Sequence, residues 1–142
     1  MPEITESAVR AARDLRVVFS RLRRRLREVT GQDLTPSQTA VLSRLGKDGA
    51  ASASALAVAE GVRPQSMATT LAALDQHGLI QRHPDPEDGR RQLVTLTTAG
   101  RARVDGDRQA RGEWLARALQ DRYTEDERHT IIEAFALLER IA

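Results

Sequence analysis

The sequence predicts a mainly α-helical fold with one small β-hairpin, an α+β arrangement of the winged helix-turn-helix kind, and three observations lead to it. Residues 52–78 have the apolar spacing and the internal turn of two short helices. Directly after them, Leu79-Ile80-Gln81-Arg82 and Leu93-Val94-Thr95-Leu96-Thr97 have strand composition and enclose Asp85-Pro86-Glu87-Asp88-Gly89-Arg90-Arg91, a turn rich in Asp, Pro and Gly. Before and after this block stand long segments with apolar residues on one helical face.

Each element has its own local cause. Over residues 4–29, Leu15, Val18, Phe19, Leu22, Leu26 and Val29 recur three or four apart, so they share one stripe of a long helix that Gly31 ends. Thr35-Pro36-Ser37-Gln38 then supplies an N-cap, a proline at the first helical position and a Gln three residues after the cap. Val41, Leu42 and Leu45 form the buried side of that second helix, and Gly46 with Gly49 closes it.

Ser52 caps a third helix reaching about residue 59 and burying Leu56, and Gly61 provides the sharp turn to a fourth that starts at Pro64. There Met67, Leu71 and Leu74 share the buried face, which leaves Gln65, Ser66, Ala68, Thr69 and Thr70 pointing elsewhere. After the hairpin, Thr97 or Thr98 caps a long helix to about residue 122, with Val104, Trp114, Leu115, Ala118 and Leu119 apolar and Gly106 and Gly112 weakening its middle. Thr124-Glu125-Asp126-Glu127 is a second capping box, and Ile131, Ile132, Phe135, Leu138 and Ile141 make the last helix amphipathic.

Composition narrows the function. At 142 residues the chain is about one domain, with no room for a separate large catalytic one. Acids and bases nearly balance at a net charge of +2, so the position of the positive charge matters more than its sum. The absence of cysteine excludes disulfides, thiolate metal sites and thiol-oxidation switches. No apolar run is long enough for a bilayer and the first residues lack a signal-peptide pattern, so a cytoplasmic protein is expected. Lys47 is the only lysine among many arginines, a bias that fits a GC-rich bacterial genome.

Catalysis is not expected. His77, His83 and His129 lack ligand spacing, and neither a Ser, His and acid arrangement nor a Gly-rich phosphate loop can be assembled, so neither metal nor cofactor is expected. The residues suit duplex DNA better. A helix in the major groove reads base edges with its first turns, where Gln65 can pair with adenine, Ser66 and Thr69 can bond bases or phosphates, and the Ala68 methyl suits a thymine methyl. The competing reading makes these polar residues local caps. Arg63 and Arg82 are placed for phosphates or, equally, for surface ion pairs. At the hairpin tip, Asp88 can orient Arg90 toward a narrow minor groove, and Arg91 stands beside it; two adjacent solvent-facing arginines make little sense as stabilisers alone. Arg16, Arg21, Arg23, Arg24, Arg25 and Arg27 on the first helix are read as a solvated face before they are read as a DNA contact.

The run from Asp88-Gly89-Arg90-Arg91-Gln92 through Leu93-Val94-Thr95-Leu96-Thr97 to Thr98-Ala99-Gly100, led in by Asp85-Pro86, closely resembles the wing and following helix start of the MarR (multiple antibiotic resistance regulator) family. Leu56-Ala57, Gly61-Val62, the helix from Pro64 to Leu74 and Gly78-Leu79-Ile80 resemble the family's helix-turn-helix, so the likeness runs in order through most of the chain. Two positions depart from it: Arg63 stands where Ser or Thr is common at the helix entrance, and Gln92 replaces an apolar strand residue.

The resemblance implies a single domain over residues 1–142, with a helical dimerisation region in 1–30 and 99–142 and a DNA-binding lobe in 34–97. It also implies a sequence-specific, ligand-responsive repressor acting as a homodimer on a pseudo-palindromic operator. Gln65, Ser66, Ala68 and Thr69 take the base-reading positions and Arg90, oriented by Asp88, the minor-groove position. The apolar stripes support association independently, since a small winged helix cannot cover them and a monomer would expose a large patch. A small anionic effector, with Arg16 or Trp114 lining its pocket, fits the scarce aromatics and many arginines. Two other classes remain open, a chromosome-organising protein with little sequence preference and a winged helix used for protein contacts.

Overall fold

The computed structural model describes residues 1–142. It contains α1 (Glu6–Val29), α2 (Pro36–Asp48), β1 (Ala51–Ser52), α3 (Ala53–Glu60), α4 (Pro64–Gln76), β2 (Ile80–Pro84), β3 (Gln92–Leu96), α5 (Thr98–Arg122) and α6 (Glu125–Leu138), and ends in a 3-10 turn, Glu139–Ile141. The chain divides into two compact units, residues 31–108 and residues 1–30 with 109–142.

The unit of residues 31–108 holds the buried core. Leu34, Val41, Leu42, Leu45, Leu56, Met67, Leu71, Leu74, Ile80, Val94 and Val104 pack as one cluster drawn from three helices, the sheet and the start of α5. The helix starts follow the local chemistry of the sequence. Thr35 and Gln38 form a reciprocal capping box at α2, and Ser52 Oγ accepts the Ala55 amide at α3. Gly61, at φ +66°, turns the chain out of α3 in the left-handed region where a side chain would be strained. Arg44 on α2 donates through Nε to Glu60 at 2.6 Å and so ties α2 to the end of α3.

Three strands pair antiparallel in the order β1-β3-β2, with Arg82 opposite Val94 and Ser52 opposite Leu93. The hairpin is the one the sequence predicts; β1 is an addition, because Ala51 and Ser52 lack strand composition and count as a strand through their pairing with β3. Gln92, the polar departure in the wing, is exposed and pairs with Pro84.

Two local expectations are corrected. Gly46 does not help to end α2 but lies inside it, where a Cβ would come within 3.0 Å of Val104 Cγ1; Gly49 ends the helix. Thr30 rather than Gly31 is the cap residue that ends α1. As the sequence predicts, α5 is one long helix, Thr98–Arg122, with Gly106 and Gly112 inside it.

The unit of residues 1–30 and 109–142 is helical and has a different character: no residue of α1 or α6 is buried. Leu15, Leu22, Leu26 and Val29 of the expected α1 stripe are half-buried, whereas Val18 and Phe19 are exposed. On α6, Ile131 and Leu138 are half-buried while Ile132 and Phe135 are exposed. The Arg25 guanidinium lies 5.4 Å over the ring centroid of Trp114, within the range of a cation–π contact. Arg128 caps the end of α5, donating to the carbonyls of Leu119 at 3.1 Å and Tyr123 at 2.6 Å. No helix is long and apolar enough to cross a membrane.

Candidate nucleic-acid interface

Two elements of the unit 31–108 present the polar side chains singled out in the sequence. The first is the N-terminal half of α4. Burial of Met67, Leu71 and Leu74 fixes its rotation about its axis, and the 3.6-residue period then turns Gln65, Ser66, Ala68 and Thr69 outward; all four are exposed. Thr70, on the flank, is half-buried.

Arg63 occupies the N-cap of α4 and provides no side-chain hydrogen bond to it, as its departure from Ser or Thr requires. The first backbone amides of a helix have no intrahelical carbonyl to bond, so the Gln65 and Ser66 amides remain available at an end that the macrodipole makes positive. An exposed guanidinium at that position adds positive charge where a hydroxyl would have satisfied an amide. The combination favours an anionic oxygen at the helix start.

The threonine hydroxyls are less free than the sequence suggests. Thr69 Oγ1 donates to the Gln65 carbonyl and Thr70 Oγ1 to the Ser66 carbonyl, both at 3.1 Å. Thr69 therefore faces solvent with its methyl group and an acceptor oxygen rather than with a free O–H.

The second element is the loop between β2 and β3. The Arg91 carbonyl accepts the Asp85 amide at 2.9 Å and the Arg91 amide donates to the Asp88 carbonyl at 2.9 Å, which closes the loop at its base. Asp85 Oδ1 accepts the Glu87 amide and Asp88 Oδ1 the Arg90 amide, at 2.9 and 3.1 Å, so both carboxylates order backbone. Asp88 Oδ1 also lies 3.8 Å from Arg90 Nε, an ion pair longer than a hydrogen bond. The Arg90 side chain is 96% exposed at the tip.

Arg90 and Arg91 diverge. Arg91 is exposed like its neighbour but directs Nη2 to Ser52 Oγ at 3.1 Å. No local pattern signals this contact, which joins residues 39 apart. Arg82 is exposed on β2 opposite the buried Val94. Of the two residues singled out for an effector, Arg16 is exposed on α1 and Trp114 is half-buried beneath Arg25. No group of three or more His, Asp or Glu side chains is arranged to hold a metal ion.

Comparison with known proteins gives concordant results. Residues 34–91 match the model of the MarR family. An HTH-type transcriptional regulator of Mycobacterium tuberculosis is 40% identical over 115 residues, 80% of each chain, and one of Mycobacterium leprae matches to the same extent. Among solved structures, a candidate transcriptional regulator of Pseudomonas aeruginosa PA01 superposes with a TM-score of 0.83 at 36% identity and 97% coverage of both chains. A cysteine-to-serine mutant of MarR from E. coli superposes with a TM-score of 0.76 at 27% identity, covering 99% of this chain and 98% of that one.

Proposed function

Because this chain belongs to the MarR family of transcriptional regulators, we propose that it is a ligand-responsive repressor that works in the cytoplasm as a homodimer on a pseudo-palindromic operator. The observation that carries the reading is the outward face of α4 and the wing loop in one unit: Gln65, Ser66, Ala68 and Thr69 exposed on the helix, and Arg90 96% exposed at the loop tip. An α-helix fits the major groove, and an arginine on a narrow tip fits the minor groove.

In this reading Gln65 pairs with a base edge, Ser66 offers its hydroxyl, and the methyls of Ala68 and Thr69 pack on a thymine methyl. Arg63, with the free amides behind it, and Arg82 hold phosphates and so set register without reading sequence. Arg90 enters the minor groove while Asp88 orders its backbone. Paired subunits would place their α4 helices about 34 Å apart, in successive major grooves on one side of the duplex. The exposed apolar side chains of α1 and α6 supply the surface for such pairing.

The effector in this reading is a small anion whose pocket is lined by Arg16 or by Trp114. Beside Trp114 such an anion would compete with Glu28, which already accepts from the Arg25 guanidinium at 2.8 Å, for the cation 5.4 Å from the ring centre. Such a ligand shifts DNA affinity only by its differential affinity for the DNA-competent and DNA-incompetent shapes.

Titration of the purified protein with the promoter region beside its own gene and with a scrambled duplex, at several salt concentrations, tests the reading. Affinity for the promoter should exceed that for the scrambled duplex by ~10³-fold or more and fall steeply with salt. A ratio near one replaces the repressor with a DNA-organising protein, and binding insensitive to salt removes DNA as the partner.

A further inference from the structure

The two adjacent wing arginines are put to different uses. We infer that Arg91 is a positioning residue: its guanidinium fastens the base of the wing loop to the start of α3 and thereby aims Arg90, an assignment that rests on the operator-binding reading above.

Ser52 is the anchor point. It is 6% exposed, its backbone pairs with Leu93 in the sheet, and its Oγ accepts the Ala55 amide at 3.2 Å and the Arg91 guanidinium at 3.1 Å, with Ser54 Oγ 3.2 Å away. Residue 91 is thus attached by its side chain to the residue that its near neighbour Leu93 holds by the backbone. The Arg91 amide and carbonyl also close the loop, so its backbone and side chain together fix the point from which the tip leaves. Arg90 is the next residue back, and nothing but Asp88 holds it.

The charge argues against a purely stabilising contact. Ser52 is the N-cap of α3, at the positive end of the helix macrodipole, where a cation is disfavoured. A neutral donor would bond the same oxygen without that repulsion. What arginine adds is reach: its long stem and planar fork bridge from the loop base to a buried oxygen.

The promoter titration with wild type, Arg90→Ala, Arg91→Ala and the double variant tests the assignment. Arg90→Ala should weaken binding roughly tenfold to a hundredfold and lower the slope of log affinity against log salt by about 0.9. Arg91→Ala should weaken binding as well, and the double variant should match Arg90→Ala in both affinity and slope, because an aiming residue has nothing left to aim. Multiplied losses, with a slope lowered by about twice as much, would show Arg91 contacting phosphate itself and overturn the assignment. Arg91→Met keeps the apolar stem and removes the donors; if it binds like wild type, the tie to Ser52 does not aim the wing and the assignment falls. Amide exchange without DNA provides the folding-independent readout, since the Asp85 and Arg91 amides should exchange faster in Arg91→Met while those of α4 do not; unchanged exchange is equally fatal. If wild type itself shows neither promoter preference nor salt dependence, the operator reading has failed, an outcome distinct from multiplied losses in a protein that binds.

Discussion

Arg103 on α5 holds Asp33, in the loop before α2, with both arms of its guanidinium at 2.8 and 3.0 Å, and its Nε reaches Asp107 at 3.2 Å. The charged hydrogen bond from Arg103 holds the Asp33 carboxyl below the usual carboxylate range, against a smaller opposing effect of desolvation. A carboxyl depressed on folding stabilises above its unfolded pKa, and that contribution is lost as pH falls through the folded value. Asp33→Asn should therefore be less stable than wild type at neutral pH. In urea unfolding at successive pH values, the gap should close as pH falls from about 4 through the depressed folded pKa. A gap that stays constant to acid would mean that the ion pair is not its source.

Two glycines of α5 should answer the same substitution with opposite signs. A Cβ at Gly100 would collide with the Leu79 carbonyl, which is already committed to the Thr97 amide at 3.1 Å. Thr97 also donates to the Gly78 carbonyl at 2.6 Å and caps α5 by accepting the Gly100 amide, so neither side of the clash can yield cheaply. Gly100→Ala should destabilise by roughly 1–3 kcal/mol or more. Gly106 has nothing within 4 Å of its would-be Cβ, and Gly106→Ala should stabilise by about 0.5–1 kcal/mol through helix propensity. Thermal or urea midpoints of the two variants moving in the same direction would refute the close-approach argument.

The legible parts of this molecule are those whose cause is local. Met67, Leu71 and Leu74 declare a buried face through spacing alone, and Thr35 with Gln38 declares a helix start through side chains that reach their own backbone. Their rotation of α4 also makes the exposure of Gln65, Ser66, Ala68 and Thr69 readable in advance. What the sequence hides is non-local: β1 is a strand because β3 pairs with it, Gly46 lies where Val104 packs closely from α5, and the exposed Arg91 side chain reaches back to Ser52. The Thr69 hydroxyl is committed for a local reason that spacing does not show, because a threonine inside a helix can donate its O–H to the preceding turn.

The α1 and α6 stripes pose a question that periodicity cannot answer, namely whether an apolar face is covered by the same chain or by another. Within one protomer Val18 is 59%, Phe19 55%, Ile132 61% and Phe135 51% exposed, so the chain itself does not cover them. A set of large apolar side chains at this exposure disfavours a dispersed monomer. If a second copy covers them, a charge placed among them must be desolvated on association without a partner. Phe135→Glu should then raise the dimer dissociation constant by roughly 30-fold or more, the loss expected at an aromatic hot spot of 2 kcal/mol or above. Val58, 82% exposed on α3 in the other compact unit, provides the control, since Val58→Glu adds the same charge outside those stripes. Sedimentation velocity across a dilution series reads both: Phe135→Glu should dissociate at concentrations where wild type and Val58→Glu remain dimeric. A wild type that sediments as a monomer at every concentration, or a Phe135→Glu variant that stays paired, would show that these side chains do not form the contact between subunits.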